Sequence, residues 1–84
     1  MTDQEKLEVH VELILNELNS AEIQHPKWPD DLLHQIAIMN EEAGEATRAA
    51  LHVVYEDGKK SELANELRQT AAMCIRILKN LTHD

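Results

Sequence analysis

Eighty-four residues suffice for one domain, 1–84, and leave no room for a second core. A formal net charge of −8 argues against a nucleic-acid backbone or an anionic membrane as the main partner, and 43% hydrophobic residues argue against disorder. No apolar run approaches transmembrane length, the first residues lack the basic start of a secretory signal, and the lone Cys74 cannot form an internal disulfide, so the expected compartment is the cytoplasm.

Phe is absent and only Trp28 and Tyr55 are aromatic, so the core is expected from Leu, Ile, Val, Ala and Met. Thr2 with Glu5 makes a capping-box pattern that starts a first helix at about Asp3. Leu7, Val11, Ile14, Leu15 and Leu18 repeat at four and three, and the pattern fades near Asn19-Ser20. The segment near Glu22 is a candidate for a short extra helix. His25-Pro26-Lys27-Trp28-Pro29 then breaks the periodicity, because two prolines three apart cannot occupy a helix interior.

Asp30 or Asp31 caps a second helix, whose stripe is Leu32, Ile36, Met39, Ala43, Ala46, Ala50 and Val53. It runs to about Tyr55, where Glu56-Asp57-Gly58 ends it with Gly58 as the expected left-handed residue. Ser61 is the expected cap of a third helix with the stripe Leu63, Leu67, Ala71, Cys74 and Leu78, widened by Thr70, Ile77 and Leu81, in which Cys74 reads as a small buried hydrophobe. Short connections favour antiparallel neighbours, so the fold class is all-α, an antiparallel helical bundle of three main helices. Alanines are dense on the second helix, and Leu33, Leu51 and Ile75 lie off the main stripes; this apolar surplus predicts a subunit interface.

The chemistry-bearing feature is Glu41-Glu42-Ala43-Gly44-Glu45, answered by Glu66 and Gln69. Glu42 and Glu45 share a helix face, as do Glu41 and Glu45, and like charges so placed repel. Acids on the border of an apolar stripe suit a neutralising cation, and oxygen-only ligands suit Mg²⁺ or Mn²⁺. A hairpin of the second and third helices would bring Glu42 and Glu45 near Glu66. The spacing alone is also common on solvated helix faces.

These words, with Ile38-Met39-Asn40 before the acids and Gln69-Thr70-Ala71-Ala72-Met73 after Glu66, resemble the MazG-like all-α nucleotide pyrophosphohydrolase superfamily. That superfamily includes dimeric dUTPases, dCTP pyrophosphatases and phosphoribosyl-ATP pyrophosphohydrolase. Its pattern is Glu-x-x-Glu, a gap, then Glu-x-x-Asp, and the resemblance covers roughly 26–81. It implies Mg²⁺-dependent hydrolysis of a nucleoside triphosphate to monophosphate and pyrophosphate, in a homodimer or homotetramer. Carried onto this chain, it makes Glu42, Glu45 and Glu66 metal ligands, with Gln69 at the fourth position, and Glu41 or Glu45 the group that orients or deprotonates water. Gln69 departs from the pattern, offering a neutral carbonyl where the family has a carboxylate; weaker metal binding, one metal instead of two, or lost activity are the possible results. Glu41 and Glu62 are the candidates for compensation.

Lys27 and Arg48 are candidate phosphate contacts, Trp28 a candidate base-stacking residue, and Asn40 and Asn65 candidate contacts for ligand or water; each also has an ordinary reading as a solvated or loop-anchoring residue. Glu22-Ile23-Gln24-His25 has the form used twice in di-iron bundles, but occurs once and beside Pro26, which argues against such a site. The rival to hydrolysis is a non-catalytic oligomer that binds a nucleotide or a protein partner, motivated by Gln69.

Overall fold

The computed structural model describes residues 1–81 and contains three helices: α1 (Asp3–Gln24), α2 (Leu32–Tyr55) and α3 (Lys60–Asn80). The described residues are all-α, as the periodicity predicts. α1 begins with the expected capping box: the Glu5 amide donates to Thr2 Oγ1 at 3.1 Å and the Thr2 amide donates to Glu5 Oε1 at 2.9 Å. α2 is capped by Asp31, whose Oδ1 accepts from the Leu33 amide at 2.9 Å.

Four local expectations are corrected. The segment near Glu22 is the last turn of α1, not a separate helix, because nothing before His25-Pro26 interrupts the backbone ladder. α3 starts two residues earlier than a Ser61 cap would allow; Lys59 holds the cap position without a side-chain hydrogen bond. At the end of α2 the left-handed residue is Asp57, with φ 55°, and not Gly58. Gly58 is required for proximity instead, since a Cβ there would stand 2.7 Å from Cβ of His52. Its amide and that of Glu56 both donate to the His52 carbonyl, at 2.8 and 2.9 Å, which turns the chain tightly into α3.

The fourth correction concerns the face that α3 buries. Ile77 is buried as expected, but so are Ala72, Met73 and Arg76, while Leu67 and Leu78 are 53% and 64% exposed and Cys74 is exposed. α3 lies between its neighbours, packing against both α2 and α1, whereas the backbones of α1 and α2 do not come within 8 Å of each other. A helix flanked on two sides buries a broad face, and the 67/74/78 edge points away from both flanks. Ala72, fully buried, forms the core cluster with Leu18 and Met73, joined by Ile14, Ile38, Met39 and Ile75. Ile75 therefore belongs to the core and not to the surplus, while Leu33 and Leu51 remain exposed.

The α1–α2 connection, residues 25–31, is pinned from two helices. Buried Gln35 donates to the Pro29 carbonyl at 2.8 Å, and Arg76 Nη2 donates to the His25 carbonyl at 2.7 Å. Lys79 pairs with Glu22 at 2.9 Å, fixing the end of α1 to the end of α3. This pairing engages the carboxylate of the Glu22-x-x-His25 word.

The Gly58 contact makes a direct test. Gly58→Ala forces His52 or the turn to shift, an overpacking cost of about 1–3 kcal/mol, and is expected to lower Tm by on the order of 10 °C in a domain of this size. An unchanged thermal midpoint would contradict this account of the turn.

Candidate metal and ligand site

α2 and α3 run antiparallel: Glu45 faces Glu66 across the pair, and Glu42, Gln69, Ile38 and Met73 line one cleft further along. This register gathers Glu42, Glu45 and Glu66 so that one carboxylate oxygen from each lies within 4.8 Å of the others. Glu42 and Glu66 are half-buried and Glu45 is exposed. Glu42 Oε2 and Glu66 Oε2 are buried without a hydrogen-bond partner. Uncompensated acceptors in such a place are costly.

The electrostatics follow. Desolvation raises the pKa of Glu42, and the charges of Glu45, Glu66, Glu17 and Glu41 raise it further. Glu66 is raised by desolvation, by a proton-sharing contact with Glu45, and by the charges of Glu45 and Glu17. A divalent cation would favour the charged form of all three carboxylates, and three oxygen ligands with remaining positions for water or phosphate match the coordination of Mg²⁺ or Mn²⁺. The chemistry and the convergence of the trio thus fit such an ion.

Two cavities flank the trio. A cleft of about 440 Å³ opens between α1 and α2 over α3, with Glu42 at its acidic end beside Glu17 and Gln69. Its other end is built by His25, Lys27, Trp28 and Arg76. A second cavity of about 290 Å³ is lined by Glu45 and Glu66 together with Arg48, His52, Glu62 and Asn65. Lys27 and Trp28 therefore share one cavity, and Arg48 and Asn65 the other. Asn40 and Glu41 are exposed and line neither. Gln69 borders the cleft next to Glu42, and Glu62 lies in the second cavity beside Glu45 and Glu66.

Trp28 is not an open stacking platform on both faces. The Arg76 guanidinium covers its ring at 4.3 Å from the centroid, and its Nε1 is buried without a partner.

Two site residues escaped the reading of the sequence. Glu17 projects from α1 into the cleft, and its signal was position: it adjoins Leu18 and sits one turn from Ile14 and Ala21, on a stripe border like Glu42. Arg76 carried no such signal, because a charged residue is not expected on a buried face, yet it is buried together with Ala72, Met73 and Ile77.

Compared with known proteins, the chain matches no family model, no curated protein and no solved structure.

The raised carboxyls define a pH dependence. A folded state that holds protons more tightly than the unfolded chain loses stability as pH rises from the ordinary carboxylate range through the raised values. Metal-free protein is therefore expected to melt lower at pH 7.5 than just below that window, as far as these two groups govern it, and Glu42→Gln is expected to reduce the difference. Mg²⁺ or Mn²⁺ at one hundred times Kd should restore about 2.7 kcal/mol, on the order of 10–20 °C in Tm. This gain should fade as the pH falls and the carboxyls protonate. Thermal melts across pH with and without Mg²⁺ check it, and a Tm indifferent to both cations at pH 7.5 would remove the cation site.

Proposed function

We propose that this chain is a Mg²⁺-dependent nucleoside triphosphate pyrophosphohydrolase of the MazG-like kind. The observation that carries the reading is the convergence of Glu42, Glu45 and Glu66 between two ligand-sized cavities. The sequence resemblance assigns the reaction; the site supplies groups suited to it.

In this reading Glu42, Glu45 and Glu66 hold the cation. When bound it would neutralise charge on the phosphate oxygens and favour ionisation of a water. Glu45, the exposed member of the trio, accepts the proton of the attacking water. Glu41 is set aside for that role because it lines neither cavity. Water oxygen bonds to the α-phosphorus as the bond from that phosphorus to the bridging oxygen of pyrophosphate breaks. A nucleoside monophosphate and pyrophosphate leave. In this reading Arg48 and Asn65, which line one cavity, and Lys27 and Trp28, which line the other, bind the two ends of the nucleotide. Pyrophosphate release from a panel of ribo- and deoxyribonucleoside triphosphates with Mg²⁺ tests this. Turnover is expected, with Glu42→Gln lowering it at least 100-fold. No release by folded protein with either Mg²⁺ or Mn²⁺ would overturn the reading.

Gln69 favours a second reading, a nucleotide- or protein-binding oligomer without catalysis, since it places a neutral amide at the cleft beside Glu42. In a parent without turnover, activity gained by Gln69→Asp would identify a degraded hydrolase, whereas no gain favours binding alone.

We also propose that the functional unit is a homodimer or homotetramer, acting in the cytoplasm, with no nucleic-acid or membrane partner. No described helix is long and apolar enough to cross a membrane. The chain exposes 6417 Å², against about 5,100 Å² for a folded monomer of its mass. The excess of about 1,300 Å² exceeds the roughly 800 Å² that each partner of a standard interface buries. On α1, Leu7, Val11 and Leu15 stand 59%, 46% and 49% exposed along one stripe. Sedimentation velocity is expected to give at least a dimer, reduced to monomer by Leu7→Glu with Val11→Glu. A monomeric parent at micromolar concentration would exclude the assembly.

A further inference from the structure

We propose that Arg76, with Lys27 and the Trp28 indole N–H, forms an oxyanion subsite of the phosphate class at the end of the cleft away from the glutamate trio. Arg76 is only 4% exposed, yet makes no ion pair among the described residues. A guanidinium remains protonated at any relevant pH, and a buried charge without a counter-charge is costly. Its known partners are the Trp28 ring and the His25 carbonyl, and neither carries a negative charge. Its Nε is buried without a partner, as is Trp28 Nε1.

The residues that carry these two groups line the same cleft; the two N–H groups lie buried just behind its wall, and both can only donate hydrogen bonds. Donors without acceptors, one of them cationic, select a ligand that offers acceptors and negative charge. Lys27, exposed at the same cleft, adds a second cation. A planar guanidinium already oriented by a stack and one hydrogen bond suits phosphate geometry, because little side-chain freedom remains to be lost on binding. A nucleobase is the poorer occupant of this end, because Arg76 covers one face of the indole. The cleft is thus bipolar: acids and Gln69 at one end, cations at the other. That the oxyanion belongs to a nucleotide rests on the function proposed above; the subsite itself does not.

Trp28 is the sole tryptophan and touches Arg76, so its emission reports the subsite directly. Inorganic pyrophosphate, titrated into full-length protein in chelator at constant ionic strength, is expected to change Trp28 emission saturably. Arg76→Gln, checked for helix content by circular dichroism, should weaken that binding at least tenfold, and Lys27→Ala several-fold. No saturable change in the parent, or equal affinity in folded Arg76→Gln, overturns the subsite. If Arg76→Gln does not fold, Lys27→Ala decides, and unchanged affinity counts against it. Adenosine perturbing Trp28 where pyrophosphate does not would reassign this end to a base. Because neither metal nor turnover enters the measurement, its failure is distinct from the failure of hydrolysis.

Discussion

The packing of α3 between α1 and α2 is the constraint on which the rest depends. It is the helix whose backbone lies close to both others, and the fully buried Ala72 lies where α1 closes down through Leu18. A larger side chain at that point would separate α1 from α3. Because the Cα atoms of α1 and α2 stay more than 8 Å apart on either side of α3, a cleft remains above α3, and the polar residues of its buried face become the floor of that cleft. Gln69 and Arg76 are site residues because of this geometry.

The same arrangement sorts charge. Glu17, Glu42 and Glu66 come from three different helices, yet Glu17 raises the pKa of both others, so the acidic end of the cleft is a property of the tertiary fold. The cations Lys27 and Arg76 gather where the 25–31 connection crosses the end of α3. For a chain with a net charge of −8, a cationic end to a cavity is a local exception maintained by one buried guanidinium.

Much of this was legible in the sequence. Helix existence, the Thr2 box, the Asp31 cap and the Pro26–Pro29 break all follow from local chemistry, and the convergence of Glu42, Glu45 and Glu66 follows from a short hairpin. The buried face of α3 was legible only at Ile77, not at Ala72, Met73 or Arg76. Its apolar periodicity at 67, 71, 74 and 78 is genuine, but apolar spacing identifies a stripe without saying what covers it. The residues packed between two helices include Arg76, which no hydrophobicity pattern would place inside. The turn after α2 misled for a related reason: glycine is expected where φ is positive, but Asp57 takes that conformation and Gly58 answers to the nearness of His52.

Gly44, between Glu42 and Glu45, has a different character from Gly58. A Cβ added there would meet no atom within 4 Å, so its smallness serves no contact inside this chain. Glycine in a helix interior is less favourable than alanine by about 1 kcal/mol. The turn of α2 that carries two of the three clustered carboxylates is therefore the turn with the weakest intrinsic hold on helical geometry. Its amides are set to exchange with solvent ahead of those in the alanine-rich turns that follow, through local openings that leave the α2–α3 hairpin intact. A cation bridging α2 to α3 would close that opening, so occupancy of the trio would be written into the exchange rates of backbone amides that touch no ligand.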